Sequence, residues 1–204
     1  MSKANSPTIL TVFGATGDLM LKKIVPSLYF LYKNKQLPDK FKVVGFSRRD
    51  LIDTKFREHI FEILQAKGMV TSLDCDVSDF LNFFHYQPGT FENVENYQDL
   101  GAKLEKIDDE WKLCSNKLFY FAVSSGFIGA IINNLIKTGL SEPCGGLEGW
   151  SRFIVEKPFG NDRKSAGKLE KLLGNFKPEQ VYRIDHYFGK EMVQGILNFR
   201  FSNN

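Results

Sequence analysis

The chain has 204 residues, with 27 Lys+Arg against 24 Asp+Glu, so its net charge is only +3, a bias too small and too evenly spread for a nucleic-acid partner. With 43% hydrophobic and 25% charged residues it has the composition of a folded domain, and no apolar run nears the ~20 residues that would span a bilayer. The opening MSKANSPTIL lacks a signal-peptide core, and Cys75, Cys114 and Cys144 make no CxxC pair, so a cytoplasmic chain with neither a disulfide framework nor a metal site is expected.

Residues 8–13, TILTVF, are β-branched and apolar and stop at Gly14, which predicts a short buried strand. A helix is predicted over 18–35, with Ile24, Leu28, Leu31 and Tyr32 on one face and Pro26 bending its first turns. A second strand is predicted at 41–46 and a second amphipathic helix at 53–67. The stretch 68–115 is less regular: 80–86 fits a helix end or a third strand, and 97–107 has helical spacing. Residues 117–123 read as a strand, 127–138 as a helix, and the glycines after Cys144 as a loop. A strand at 152–156 is stopped by Pro158, which has no ladder donor. A helix near 162–174, a strand at 180–184 and a helix at 189–198 complete the pattern. Alternating strands and helices predict a Rossmann-like, doubly wound α/β fold with a mainly parallel sheet.

Four segments carry chemistry. Gly14-Ala15-Thr16-Gly17-Asp18-Leu19 follows the first strand and opens a helix, where glycines allow a close backbone approach and the helix N-terminus favours a pyrophosphate. The third glycine of GxGxxG is missing, so an ordinary strand-to-helix turn is the alternative. At the end of the second strand, where an NAD site carries an acid, this chain has Arg48 and Arg49; a guanidinium there suits a 2′-phosphate, so NADP is favoured. The alternative is two solvated arginines, one of them paired with Asp50. Lys157, in Glu156-Lys157-Pro158-Phe159-Gly160, stands at a strand's carboxyl end and can reach a phosphate, a sugar hydroxyl or a nicotinamide, or else is an exposed turn lysine. Finally, Asp185, His186, Tyr187 and Lys190 crowd into Arg183–Glu191; His186 and Lys190, four apart, can clamp one phosphate on a helical face, and Asp185 can orient a histidine from elsewhere. The alternative is a polar turn with ordinary ion pairs.

In this order, GATGDL, GFSRR, EKPFG and RIDHYFGKE resemble the glucose-6-phosphate dehydrogenase family, from Ile9 to the end of the chain. The resemblance implies oxidation of glucose 6-phosphate at carbon 1 to 6-phosphogluconolactone, with the hydride passing to NADP, or to NAD in some members. It implies that Gly14 to Leu21 hold the coenzyme pyrophosphate and Arg48 the 2′-phosphate, with Tyr86 and Gln87 as further coenzyme contacts. Lys157 would touch both coenzyme and sugar, His186, Tyr187 and Lys190 the sugar phosphate, and Asp185 the catalytic histidine. It implies an NADP-binding domain over 1–185, the start of a β+α substrate and dimerisation domain at 186–204, and a homo-oligomeric whole. The family's general base lies tens of residues beyond the last segment. No histidine follows His186 here, so these 204 residues alone are expected to be inactive. Met20 and Leu21 depart from the family's small and basic residues, and Ser124-Ser125-Gly126 from its proline-containing turn. Two other readings stand beside this one: a non-catalytic nucleotide-binding module, and a short-chain dehydrogenase. The second lacks a usable YxxxK pair, since Tyr29-Lys33 lies in the first helix and Tyr182 is followed four residues on by His186.

Overall fold

The computed structural model describes residues 6–71, 76–144, 149–160 and 162–185. Six strands, β1 (Thr8–Phe13), β2 (Phe41–Ser47), β3 (Phe84–Pro88), β4 (Asn116–Phe121), β5 (Ser151–Glu156) and β6 (Val181–Ile184), form one sheet in the order β3-β2-β1-β4-β5-β6. Every neighbouring pair is parallel. This is the doubly wound order of dinucleotide-binding folds, and the strand order reverses between β1 and β4.

Helices α1 (Val25–Lys33), α2 (Asp53–Ala66) and α3 (Asp76–Leu81) cover one face, and α4 (Glu95–Trp111), α5 (Ser125–Lys137) and α6 (Arg163–Leu173) the other. Because both faces of β1 are covered, all six of its residues are buried, which is why its sequence is a continuous apolar run rather than an alternation. On the α4–α6 face Phe13 is the hub, with ring centroids 5.1 Å from Phe46, 5.8 Å from Phe121 and 5.9 Å from Tyr97. A fully buried ring of this kind contributes about 1.5–3 kcal/mol relative to exposure.

Three local outcomes refine the sequence reading. The first helix opens as a π-helical turn over Met20–Ile24, closed by the Val25 N–H on the Met20 carbonyl. Pro26 explains it: the ring has no N–H and crowds the preceding turn, so the helix widens there before α1 proceeds. The ambiguous stretch 80–86 resolves into both candidates, with α3 ending at Leu81 and β3 starting at Phe84. The strand expected over 117–123 ends at Phe121, and α5 begins at Ser125. The helix expected at 189–198 lies outside the described residues.

The outer edge of β3 is closed by side chains rather than by another strand. Asp53 accepts from the Tyr86 N–H at 2.8 Å, Arg57 Nε donates to the Phe84 carbonyl at 2.8 Å, and Lys103 Nζ donates to the Tyr86 carbonyl. These groups satisfy the edge that would otherwise invite strand pairing. At the other edge, the α1 side of β4–β6 carries no helix among the described residues. Leu118, Tyr120, Ile154 and Ile184 stay partly exposed there, and Tyr182 is 45% exposed.

Candidate functional site

Two clefts flank the first helix, one on each side of the switch point. The smaller, of about 320 Å³, lies beyond the carboxyl ends of β1, β2 and β4 and is lined by Gly14, Thr16, Gly17, Arg48, Arg49 and Ser124, among others. Gly14 carries φ +84°, a left-handed backbone, and a Cβ added to it would press into the Ala122 carbonyl oxygen. Its N–H and that of Ala15 both reach the Phe46 carbonyl, at 2.8 and 3.3 Å, which ties the turn to β2. Gly17 is different: a Cβ there would meet only the Gly14 carbonyl oxygen, at 3.1 Å, with open space otherwise. The space above Gly17 is therefore open and forms part of the cleft.

A chain of hydroxyls runs under this cleft. Thr16 Oγ1 lies 3.0 Å from Ser47 Oγ, Ser47 Oγ 2.7 Å from Tyr86 Oη, and the Tyr86 hydroxyl donates to the Arg49 carbonyl at 2.7 Å. The carbonyl can only accept, so it fixes the direction of the rest: Ser47 donates to Tyr86, and Thr16 to Ser47. Burial pushes the Tyr86 phenol above its ordinary value, with the Ser47 bond opposing, which keeps it a proton donor at neutral pH. Phe91 and Phe127, with ring centroids 5.3 Å apart, form an apolar wall of the same cleft.

The larger cleft, about 810 Å³, lies on the other side, between the first helix and the face of β4–β6 that no described helix covers. Lys23, Leu19, Tyr120, Ile184 and Asp185 line it. Tyr120 donates to the Glu156 carboxylate, and burial with that bond raises the phenol well above its ordinary value. At its rim, Lys157 Nζ lies 2.6 Å from Asp185 Oδ2, joining the carboxyl ends of β5 and β6.

The structure thus brings Gly14, Thr16, Gly17 and Arg48 together, and separately Lys157 and Asp185. Others of the expected contacts sit elsewhere. Ala15 is fully buried; Asp18 is exposed and pairs with Lys22 at 2.6 Å; Leu19 turns into the larger cleft. Tyr86 is 1% exposed and Gln87 9%, so Tyr86 supports the small cleft from beneath instead of lining it. His186, Tyr187 and Lys190 lie outside the described residues. Sequence reading passed over Ser47 and Lys23 as site residues. Lys23 was findable, since it stands four residues after Leu19 and so shares its helical face. Ser47 was not, because its role depends on Tyr86 arriving from 39 residues away. No group of three or more His, Cys, Asp or Glu able to hold a metal occurs among the described residues, and no helix among them is long and apolar enough to cross a membrane.

Residues 11–195 match the family described as glucose-6-phosphate dehydrogenase, NAD binding domain. The chain is 38% identical over 196 residues to glucose-6-phosphate 1-dehydrogenase of Bacillus subtilis and 41% identical over 196 residues to that of Borreliella burgdorferi. Each alignment takes in 96% of this chain but 38% of the relative, so the chain spans about two-fifths of the length of these relatives. Among solved structures, a glucose-6-phosphate dehydrogenase in complex with glucose 6-phosphate superposes with a TM-score of 0.81 at 34% identity, covering 100% of this chain and 41% of that one. Glucose-6-phosphate 1-dehydrogenase from Mycobacterium avium gives 0.75 at 28%, covering 98% and 40%.

Proposed function

The chain belongs to the glucose-6-phosphate dehydrogenase family, in its NAD-binding domain, and from that premise we propose that it binds NADP in the smaller cleft and serves the oxidation of glucose 6-phosphate to 6-phosphogluconolactone. The observation that carries this reading is that Arg48 and Arg49 line the same cleft as the Gly14–Gly17 turn. Gly17 leaves open the volume a pyrophosphate needs, the helix behind it offers its N-terminal N–H groups, and a guanidinium waits where a 2′-phosphate would lie. NADP, when bound, supplies the hydride acceptor. The protein's own contribution is to hold it by its charged end and to disfavour NAD, which leaves Arg48 without an anionic partner.

The larger cleft takes the sugar in this reading. Lys23 lines it, Lys157 reaches its rim through Asp185, and His186, Tyr187 and Lys190 follow Asp185 in the sequence. Oxidation of a hydroxyl carbon needs a group that accepts the hydroxyl proton. Asp185 serves by accepting an imidazole N–H and so orienting that base, which lies in the part of the family's chain beyond residue 204. Residues 186–204 begin the second domain, and the whole protein is a homo-oligomer.

Calorimetric titration of NADP and NAD into the chain tests the coenzyme assignment. NADP should bind at least tenfold more tightly than NAD, and Arg48→Ala should remove most of that difference, at a cost of about 1–3 kcal/mol for a charge-assisted contact. Equal affinities in the unmodified chain would refute the assignment.

A further inference from the structure

At the amino ends of the strands, opposite both clefts, two cysteines distant in sequence meet. Cys114 lies between α4 and β4, and Cys144 between α5 and β5. Because β4 and β5 are parallel neighbours, with Lys117 opposite Ser151, the two loops emerge side by side. Both side chains line one surface cleft, and neither is in a disulfide. Cys144 Sγ also lies 3.6 Å from Asp108 Oδ2 and 3.9 Å from the Ser115 carbonyl oxygen. Beneath them is a fixed polar floor: Asp108 holds Lys117 Nζ at 2.5 Å and Ser115 Oγ at 2.6 Å. Both residues line a surface cleft of about 500 Å³, together with Lys112 and the carboxylates of Glu105, Asp108 and Asp109.

We propose that Cys114 and Cys144 are an oxidisable pair that closes to an intrachain disulfide, stapling the α4–β4 loop to the α5–β5 loop. Both residues are partly exposed and line one cleft, and Cys144 Sγ already lies 3.9 Å from the carbonyl oxygen of Ser115, the residue next to Cys114, so closure is a matter of two adjoining loops rather than of the sheet. The oxidant is a small disulfide of the glutathione type, approaching from the open side of the cleft. Burial, together with the neighbouring Cys114 thiol, pushes the Cys144 thiol up to about 12, so Cys144 stays protonated and the first attack falls to Cys114. The Cys114 thiolate attacks one sulfur of the small disulfide, breaks its S–S bond and expels one thiolate. Cys144 then gives up its proton and attacks Cys114 Sγ in the mixed disulfide, expelling the second thiolate. The protein dithiol loses two electrons, the small disulfide gains them, and the two protons end on the released thiols.

The bond would close a loop of about 30 residues, and chain-entropy reasoning for that length, with the usual size scaling, places the melting temperature of the oxidised form ~10 °C higher. The coenzyme cleft lies at the far end of six-residue strands, roughly 20 Å away, so its affinity should not move.

The test uses the chain with Cys75→Ser, so that no third thiol competes. It is incubated with glutathione disulfide, quenched in acid, alkylated, digested and mapped by mass spectrometry, with melting followed in parallel. The expected result is a peptide linking Cys114 to Cys144, a melting temperature raised by ~10 °C and restored by dithiothreitol, and unchanged NADP affinity. Cys144→Ser should instead accumulate glutathione on Cys114. A stable mixed disulfide on Cys114 in the Cys144-containing chain, resistance of both thiols to the reagent, or a linked peptide without a thermal shift would each overturn the proposal.

Discussion

The Tyr86 hydroxyl donates to the main-chain carbonyl of Arg49 at 2.7 Å, from a side chain that solvent does not reach. The contact joins the edge strand β3 to the loop carrying both arginines, and through Ser47 it continues to Thr16 in the glycine turn. One buried phenol therefore sets the relative position of the two segments that would grip opposite ends of the coenzyme's diphosphate-ribose.

Tyr86→Phe removes that hydroxyl while keeping the ring that packs 4.9 Å from Phe56. Ser47 then loses its acceptor and the Arg49 carbonyl its donor. We expect a stability loss of about 1–2 kcal/mol by denaturant titration. NADP affinity should fall about fivefold to tenfold, since loss of one such positioning bond is worth ~1 kcal/mol. Unchanged NADP affinity would mean that the loop holds its own conformation and the relay is only structural.

The two glycines of the turn separate folding from binding. Gly14→Ala places a Cβ against the Ala122 carbonyl on a left-handed backbone, so β4 or the turn must move. A loss of about 2–4 kcal/mol is expected, seen as a lowered denaturation midpoint. Gly17→Ala meets only the Gly14 carbonyl at 3.1 Å, and should leave the midpoint nearly unchanged while weakening NADP by tenfold or more. Tight NADP binding by Gly17→Ala would move the pyrophosphate away from this turn.

The reach of sequence reading differs between these elements. Local signals placed five of the six strands, through short β-branched and apolar runs, and left 80–86 open between a helix end and a third strand; the strand order came only with the sheet. Gly14, Gly17 and Arg48 are singled out by sequence because each needs only its place after a strand, and all three line the smaller cleft. Tyr86 was picked out, but as a contact; that it works from below depends on β3 lying beside β2, with Gly45 opposite Tyr86. That Cys114 and Cys144 share one cleft was hidden for the same reason. No spacing rule relates two loops that meet only because their strands are neighbours. The pairing of Lys157 with Asp185, between two motifs each read as independent, also waited on the β5–β6 register.

Acid should loosen β3 first. Burial alone would raise the Asp53 carboxyl, but the His85 ring at 2.9 Å and the Tyr86 N–H at 2.8 Å outweigh it, with help from the Lys103 charge, and hold it far below the usual carboxylate range. The folded-state value is thus depressed below the unfolded value of ~3.9. The stability it contributes is full above pH ~4 and is lost as pH falls below that, because the unfolded chain then takes up a proton the folded one resists. Asp53→Asn should flatten the acid limb of a stability–pH curve below pH ~4 while lowering the neutral plateau. An acid limb of unchanged steepness would assign the acid sensitivity to other carboxylates.

The final prediction concerns the ion pair at the ends of β5 and β6. Lys157 Nζ and Asp185 Oδ2 are 2.6 Å apart, with the lysine side chain 52% exposed and the aspartate 18%. The pair can be read in two ways. Asp185 either serves only to fix Lys157, or it has its own task of orienting the base while Lys157 meets the sugar. Steady-state kinetics of the full-length enzyme carrying this domain distinguish them. Lys157→Ala should raise the glucose 6-phosphate KM by tenfold or more, because an amine that meets the bound sugar contributes in ground state and transition state alike. Asp185→Asn keeps the shape and leaves the Lys157 amine free to meet an anion, so KM should change little. Its turnover should fall about 100-fold or more, as expected when a general base loses the group that orients it. If Asp185→Asn instead reproduces Lys157→Ala, with KM raised and turnover kept, the aspartate acts through the lysine alone and its place in proton transfer is withdrawn.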